Sequence, residues 1–215
     1  LGADVASSIV YRDGNGESAP AVAPENQREN VRADATNKRQ AVVIIDGSLK
    51  DFETLVNAAP EDAEVHIIDG EEDGFDQISV LLRNHEDIDE LHIFGHGLAG
   101  EARLGTASLS LPTLTTHTDT LAVLKNALSE AGDILLYGCN IGAGDDGKVF
   151  VEELAELTAA DIAASDDNTG ISGDWDLEVV SGSIEAEAIS AHDYGYSLNP
   201  TGVTSMTNVQ DRTQT

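Results

Sequence analysis

Five short apolar runs, each ending in a turn or polar residue, constrain the fold of this chain more than any other feature of its sequence. They occupy residues 41–46, 63–69, 90–96, 133–139 and 160–165. Runs of this length that are apolar at successive positions predict strands buried on both faces, as in parallel sheets. The stretches between them carry apolar residues three and four positions apart, which predicts helices over 48–59, 74–84, 111–131 and 146–158.

Strands that alternate with helices predict an α/β fold, a three-layer sandwich with a mainly parallel sheet, right-handed crossovers and helices on both faces. The alternation around Gly105 predicts a small hairpin over one end of that sheet, within residues 100–111. Residues 174–189 predict one or two last strands, with Trp175 as a packed anchor. Gly132 is placed to end the third helix in a left-handed cap, and Asp46 or Ser48 to cap the first.

Both ends of the chain differ in composition from its middle. Residues 1–40 are polar and punctuated by Gly and Pro, and residues 199–215 are rich in Thr, Asn and Gln. Such segments bury little apolar surface, so they predict a flexible N-terminal arm and a C-terminal linker around one α/β domain at 41–198. We expect both connectors to join the domain to a larger polypeptide.

The charge of the chain excludes two classes of partner. Forty acidic against 11 basic side chains give a formal net charge of -29. A field of this sign repels nucleic acid and anionic membrane surfaces. No stretch approaches the ~20 apolar residues of a membrane span, and residues 1–40 lack the pattern of a secretory signal. We therefore expect neither nucleic-acid binding nor membrane insertion.

A histidine and the single cysteine fall at equivalent places in the predicted sheet. His96 and Cys139 each close an apolar run, with Gly95, Gly97 and Gly138 as neighbours. Ligands of open α/β sheets bind at the carboxyl ends of the strands. A nearby imidazolium favours the reactive thiolate, and glycines let backbone amides approach a substrate carbonyl. The alternative interpretation, an inert buried cysteine and a structural histidine, stays open at this point.

Two apolar runs, one closed by His-Gly and the next by a small residue and Cys, resemble the caspase-like cysteine peptidases: caspases, legumain, clostripain, gingipains and self-processing domains of large secreted toxins. The segments "HIFGHGLAGEARLG", "DILLYGCNIGAG" and "GDWDLE", within residues 42 to about 188, resemble more specifically domain of unknown function 4347. That domain occurs near the N-termini of giant secreted bacterial adhesins and cadherin-like repeat proteins.

The resemblance implies a role for each site residue. Cys139 is the expected nucleophile and His96 the acid-base partner, and the amides of Gly97 and Cys139 are expected to form the oxyanion hole. This chemistry needs no cofactor. Tyr137 stands where relatives carry a residue that lines the substrate pocket. The further pocket candidates are Asp166, Asp167, Asp174 and Trp175, although Trp175 is also a natural core residue.

The expected function is an endopeptidase that cleaves its own polypeptide, as part of a large surface adhesin outside the cell. The peptide substrate is then a flanking segment, and the candidate positions in the N-terminal arm are Arg12, Arg28, Arg32 and Arg39. Two alternatives remain: a catalytically silent module of the same fold that binds a partner or acts as a spacer, and a small-molecule hydrolase that uses the same thiol.

Metal-binding signals are weak in this sequence. "DGEEDG" places Asp69, Glu71 and Asp73 at the first, third and fifth positions of an EF-hand-like loop, but Val80 stands where the bidentate glutamate belongs. These three residues are the weak calcium candidates. The other histidines show no paired metal spacing and are predicted to be structural or exposed, namely His66, His85, His92, His117 and His192.

Overall fold

A computed structural model describes residues 39–200 of the chain. Its strands are β1 (Ala41–Asp46), β2 (Glu64–Ile68), β3 (Ile88–Phe94), β4 (His96–Leu98), β5 (Glu101–Leu104), β6 (Ala107–Ser110), β7 (Leu128–Tyr137), β8 (Asp161–Ala164) and β9 (Val179–Ser181). Its helices are α1 (Phe52–Ala58), α2 (Gly74–Leu82), α3 (Thr118–Ala127) and α4 (Gly144–Thr158), with a short 3-10 turn at Leu114–Thr116.

The central sheet has six strands in the order β2-β1-β3-β7-β8-β9. Its first five strands pair in parallel and β9 pairs antiparallel with β8. Strands β4, β5 and β6 form a separate antiparallel sheet after β3. The α/β prediction is confirmed: a mainly parallel sheet is flanked by helices and carries a small hairpin sheet at one end.

Two layers cover the central sheet, because alternate residues of each strand face opposite sides. In β1, Val42 and Ile44 join one apolar cluster, whereas Val43 and Ile45 join the other. The helical face packs under α2, α3, α4 and the hairpin. The opposite side, here called the C-terminal face, packs under α1 and residues 175–198.

The third predicted helix was too long, and its predicted cap at Gly132 is wrong. Helix α3 ends at Ala127, and the chain enters β7 at Leu128. A Cβ at Gly132 would lie 2.9 Å from the carbonyl oxygen of Ile88. Glycine therefore permits the close approach of β3 to β7 instead of a left-handed helix end.

The predicted cap of the first helix is also wrong. Helix α1 begins at Phe52, with Asp51 at its N-cap position. The buried carboxylate of Asp46 instead accepts hydrogen bonds from the amides of Ser48 (2.8 Å) and Gly105 (2.7 Å). Asp46 thus fastens the hairpin turn to the carboxyl end of β1.

The last part of the domain has little regular structure. Residues 174–189 contain one three-residue strand, β9. Trp175 is buried against Phe94, Tyr137 and Tyr194, as the anchor prediction required. Among the helices of residues 39–200, none is both long enough and apolar enough to cross a bilayer.

Candidate active site

Strand pairing brings His96 and Cys139 to the same rim of the sheet. Phe94 in β3 is the register partner of Tyr137 in β7. Each site residue lies two positions beyond this pair: His96 begins β4, and Cys139 follows the end of β7 and packs on the C-terminal face. The predicted run 90–96 is therefore not one strand, because β3 ends at Phe94. The loops that carry them also meet, since a Cβ at Gly97 would lie 2.6 Å from the carbonyl oxygen of Cys139. The glycine expected beside the site is thus required by the close approach of these loops.

The thiol of Cys139 is sealed in this structure. The residue is 0% exposed and belongs to the apolar cluster of the C-terminal face. Its Sγ accepts from the amide of Thr169 (3.4 Å) and lies 3.6 Å from the carbonyl oxygen of the same residue. The hydroxyl of Ser197 lies 3.2 Å from Sγ. A reagent therefore reaches the sulfur only after residues that cover it, such as Ser197, move aside.

The imidazole of His96 is half-buried and contacts the residue next to Ser197. Its Nδ1 lies 2.9 Å from the carbonyl oxygen of Leu198. Because a carbonyl only accepts, this contact assigns the ring proton to Nδ1 and leaves Nε2 as the basic nitrogen of the neutral ring. Thiol and imidazole therefore touch neighbouring residues of one segment.

That covering segment is bound like an added strand. The amide of Ile171 donates to the carbonyl of Tyr196 (2.8 Å), and the amide of Leu198 donates to the carbonyl of Thr169 (3.1 Å). Gly170 forms an antiparallel bridge with Ser197 between these bonds. Main-chain pairing of this kind is a general mode of peptide recognition.

Acidic side chains gather beside the cysteine loop. The carbonyl of Asp167 accepts a 2.6 Å hydrogen bond from the amide of Asn140, the residue after Cys139. Carboxylates of Asp167, Asp174 and Glu178 lie within 4.8 Å of one another. Burial, followed by the negative charges of Asp174 and Asp166, raises the pKa of Asp167. The structure thus brings together three of the predicted pocket residues and adds Glu178, which sequence reasoning missed.

An open cavity of about 580 Å³ lies next to this segment. The residues that line it include Asp174, Trp175, His192 and Tyr194. It is therefore a concave surface close to the paired residues 169–171 and 196–198. Two predicted pocket residues lie on its wall.

The pocket prediction for Tyr137 needs correction, because its ring lies in the core. The ring is fully buried and stacks on Phe94, with centroids 4.2 Å apart. Its hydroxyl accepts from the amide of Ile189 (2.8 Å) and lies 3.1 Å from Nδ1 of His92. Strand alternation directs Tyr137 onto the C-terminal face beneath Trp175, so its ring contacts core residues and not a substrate.

His92 has a structural position, as predicted. Its side chain is fully buried in the same network, and burial lowers its pKa to about 4. The ring is therefore neutral near pH 7 and orders the C-terminal face.

The calcium candidates are engaged in local hydrogen bonds. Asp73 caps α2, where its carboxylate accepts from the amides of Phe75 and Asp76. Asp69 accepts from the amide of Glu71 in a turn. Three groups of donor residues within 39–200 bring their atoms within 4.8 Å of one another, and none includes Asp69, Glu71 or Asp73.

One of those three groups contains histidines that sequence reasoning treated as unrelated. It consists of Glu64, His66 and His85. The sequence offered one signal, Glu64 and His66 two positions apart on a strand and hence on the same face. The approach of His85 across α2 had no such signal.

The one candidate cleavage position that the structure describes, Arg39, does not adjoin the site. Arg39 precedes β1 and binds Glu90 (2.8 Å) and Asp133 (3.0 Å). It therefore lies at the amino ends of the strands, the rim opposite to His96 and Cys139. The other three candidates, Arg12, Arg28 and Arg32, lie outside the described residues.

Comparisons with known proteins identify a family but no activity. The model of a family described as a domain of unknown function, DUF4347, matches residues 42–196. A search of curated proteins finds no match. Two solved structures, a small-chain dehydrogenase and a small-chain dehydrogenase in complex with NADPH, are each 12% identical to the chain.

Both structural likenesses are weak. The first alignment covers 57% of this chain and 78% of the other, with a TM-score of 0.33. The second covers 57% and 66%, with a TM-score of 0.34. At these scores the likeness carries no argument about chemistry.

Proposed function

The chain belongs to the DUF4347 family, and we propose that it is a caspase-like cysteine endopeptidase in which Cys139 and His96 act on an extended peptide. One observation carries the proposal: the thiol and the imidazole contact adjacent residues of one strand-like segment, Ser197 and Leu198. A peptidase dyad needs this arrangement, with a nucleophile and a proton donor at the same stretch of peptide.

The chemistry follows the usual course of a thiol peptidase. Nε2 of His96 takes the proton of the Cys139 thiol, the thiolate attacks the peptide carbonyl carbon, a C–S bond forms, and the amides of Gly97 and Cys139 stabilise the oxyanion. His96 protonates the leaving amine as the C–N bond breaks. Water then hydrolyses the thioester, which releases the new carboxylate and regenerates the thiol. Each group acts without a cofactor.

The substrate we propose is the chain's own C-terminal segment. Residues 196–198 already pair with 169–171 beside the dyad. A tethered peptide has a high effective concentration, so the enzyme needs little intrinsic affinity for it. We therefore expect cleavage within residues 197–199 and not in the N-terminal arm. The acidic side chains Asp166, Asp167 and Asp174 favour basic residues elsewhere in the bound peptide.

The biological setting is also part of the proposal. The resemblance to adhesin domains suggests that the chain belongs to a large secreted polypeptide at a bacterial cell surface, where self-cleavage releases or processes it. The acidic composition suits such a setting, because a solvated, carboxylate-rich surface tolerates calcium-rich water. Calcium is accordingly a condition to vary in the test.

The test compares a precursor that extends beyond residue 215 with its Cys139→Ala and His96→Ala variants. Intact masses are measured with and without calcium. The precursor with the intact dyad should yield two fragments, whose masses place the cleaved bond within residues 197–199. The Cys139→Ala variant should yield no fragments. His96→Ala should slow cleavage by about 10²–10⁴-fold, the usual contribution of general acid-base catalysis. Ser190→Ala, an exposed serine on the same face, serves as the matched control and should cleave normally.

A second function has its own supporting observation. The complete burial of Cys139 and its contacts with Thr169 suit an inert core cysteine in a silent binding or spacer module. Identical masses for all variants, with no labelling of Cys139 by a thiol-reactive peptide electrophile, would favour that module. Labelling without proteolysis would indicate a small-molecule hydrolase instead.

A further inference from the structure

Two imidazoles and one carboxylate converge far from the dyad. Glu64 and His66 lie two positions apart on the edge strand β2, and His85 follows helix α2. Ile68, two positions beyond His66 on β2, belongs to the helical face. The cluster is therefore on the opposite side of the sheet from Cys139.

Both rings point the same nitrogen at the same carboxylate. His66 Nε2 lies 2.8 Å from one oxygen of Glu64, and His85 Nε2 lies 3.2 Å from the other. The donor atoms of all three residues lie within 4.8 Å of one another. In a tetrahedral zinc site with bonds of about 2.0–2.1 Å, ligand atoms stand about 3.3 Å apart. Small side-chain movements convert the observed cluster into such a site.

The cluster is accessible from one side, and each ring has one unpaired nitrogen. The side chain of His66 is 5% exposed, whereas that of Glu64 is 37% exposed, so the cluster has a solvent-facing side. Nδ1 of both rings is buried without a hydrogen-bond partner in the described part of the chain. Because a carboxylate only accepts, both rings carry a proton on Nε2 in the structure without an ion, and Nδ1 is unpaired. A metal at Nε2 requires that proton to leave or to move to Nδ1, the tautomer of a ring that binds metal through Nε2.

The three residues offer a donor set that suits a metal: one nitrogen from each ring and one carboxylate oxygen. Two imidazoles and one ionised carboxylate are a common zinc donor set, with a fourth position left for water.

The other two donor groups among residues 39–200 lack this chemistry. Both consist of carboxylates alone. In one of them Asp133 is occupied by Arg39 and by the amides of Glu185 and Ala186. The other group is fully exposed. Carboxylates alone suit calcium or magnesium, whereas imidazole selects zinc and its neighbours in the first transition row.

We propose that Glu64, His66 and His85 form a binding site for a divalent transition metal of the zinc type. The ion links the edge strand β2 to the end of α2, and it stabilises the free edge of the sheet. This site is independent of the proposed peptidase activity, since it lies on the other face and shares no residue with the dyad.

The test measures metal binding by the full chain in excess calcium, which occupies the acidic surface. Cobalt(II) serves as the spectroscopic probe, because its visible absorption reports coordination by nitrogen and oxygen, and zinc should displace it. We expect one equivalent to bind. At a zinc concentration about 100 times its Kd, the melting temperature should rise by about 5–10 °C.

Two partly exposed positions provide the variants, so that the buried His66 need not be changed. Glu64→Gln keeps the shape of the side chain, and His85→Ala removes one ring; each should abolish the cobalt spectrum and the zinc-dependent rise in melting temperature. His192→Ala, at an exposed histidine, is the matched control and should bind like the unmodified chain. Absence of cobalt absorption in the unmodified chain, or an unchanged spectrum in Glu64→Gln and His85→Ala, would overturn the proposal.

Discussion

The two faces of the central sheet are covered in different ways. Three helices and a hairpin pack on the helical face through aliphatic side chains. The C-terminal face is covered by one short helix and by residues 175–198, which have little regular structure. That cover combines a buried apolar cluster with single polar contacts: Tyr137 accepts from Ile189, and Asp133 accepts from Glu185 and Ala186.

The two faces also differ in their relation to the candidate site. The helical face is covered by regular helices, whereas the cover of the C-terminal face joins apolar contacts to a few polar groups. Cys139 and His96 both lie under the irregular cover. Segments without regular structure open locally at lower cost than packed helices do. The candidate site is thus on the face where we expect local opening.

The largest effect should come from the helical face. Phe150 in α4 is fully buried, and Phe150→Ala should lower the free energy of unfolding by about 3–5 kcal/mol, because it removes apolar contacts and leaves a cavity. Val149→Ala, next to it and 43% exposed, is the control and should change stability by about 0.5 kcal/mol or less. Urea unfolding measures both.

A loss below about 1 kcal/mol for Phe150→Ala would contradict the comparison. It would mean that the helical face adapts to deleted side chains, and that its helices are no more tightly packed than the cover on the other side.

The second effect belongs to the C-terminal face and depends on pH. Burial lowers the pKa of His92 to about 4, below its ordinary value of 6.5. Between these pH values the unfolded chain binds a proton that the folded chain does not, so acid favours unfolding. Stability should therefore fall by about 2–3 kcal/mol as pH drops from 6.5 to 4.

Urea unfolding across that pH range, in the unmodified chain and in His92→Gln, isolates the contribution. The variant lacks the titrating ring, so its stability should lose this part of the pH dependence. His192→Gln, which changes an exposed histidine, should keep it. Equal pH dependence in the unmodified chain and His92→Gln would show that folding does not lower the pKa of His92.

Most strands of the central sheet could be predicted from the sequence, because strands buried on both faces leave apolar runs that few other structures produce. Strand β1 begins and ends where it was predicted, and the hairpin lies within its predicted range. The third helix was overextended because its periodicity continues past Ala127, while the close contact of Gly132 with β3 is a tertiary effect.

The site was predictable in part. Placing His96 and Cys139 on one rim needed only strand order and side-chain alternation. The cover over Cys139 needed contacts across long stretches of sequence, such as Cys139 with Ser197, that leave no periodic signal. The core position of Tyr137 was missed for the same reason, because its stacking partner Phe94 lies on another strand.

The smallest expected effect concerns the cover itself. The hydroxyl of Ser197 lies 3.2 Å from Sγ of Cys139 and also accepts from the amide of Asn199 (3.3 Å). Ser197→Ala removes both contacts, which are worth about 0.5–1.5 kcal/mol in total if the closed form gains one net hydrogen bond from them. The open population should rise by about 2–10-fold.

Alkylation of Cys139 by iodoacetamide under native conditions reads out that population, in a His96→Ala background in which cleavage is slow. The labelling rate of Ser197→Ala should exceed that of the parent by the same factor, while the urea midpoint should change little, because the cover opens without unfolding the sheet. Ser190→Ala should leave the rate unchanged. If labelling instead follows global stability in every variant, the thiol is reached only by unfolding, and the C-terminal face is as firmly closed as the helical one.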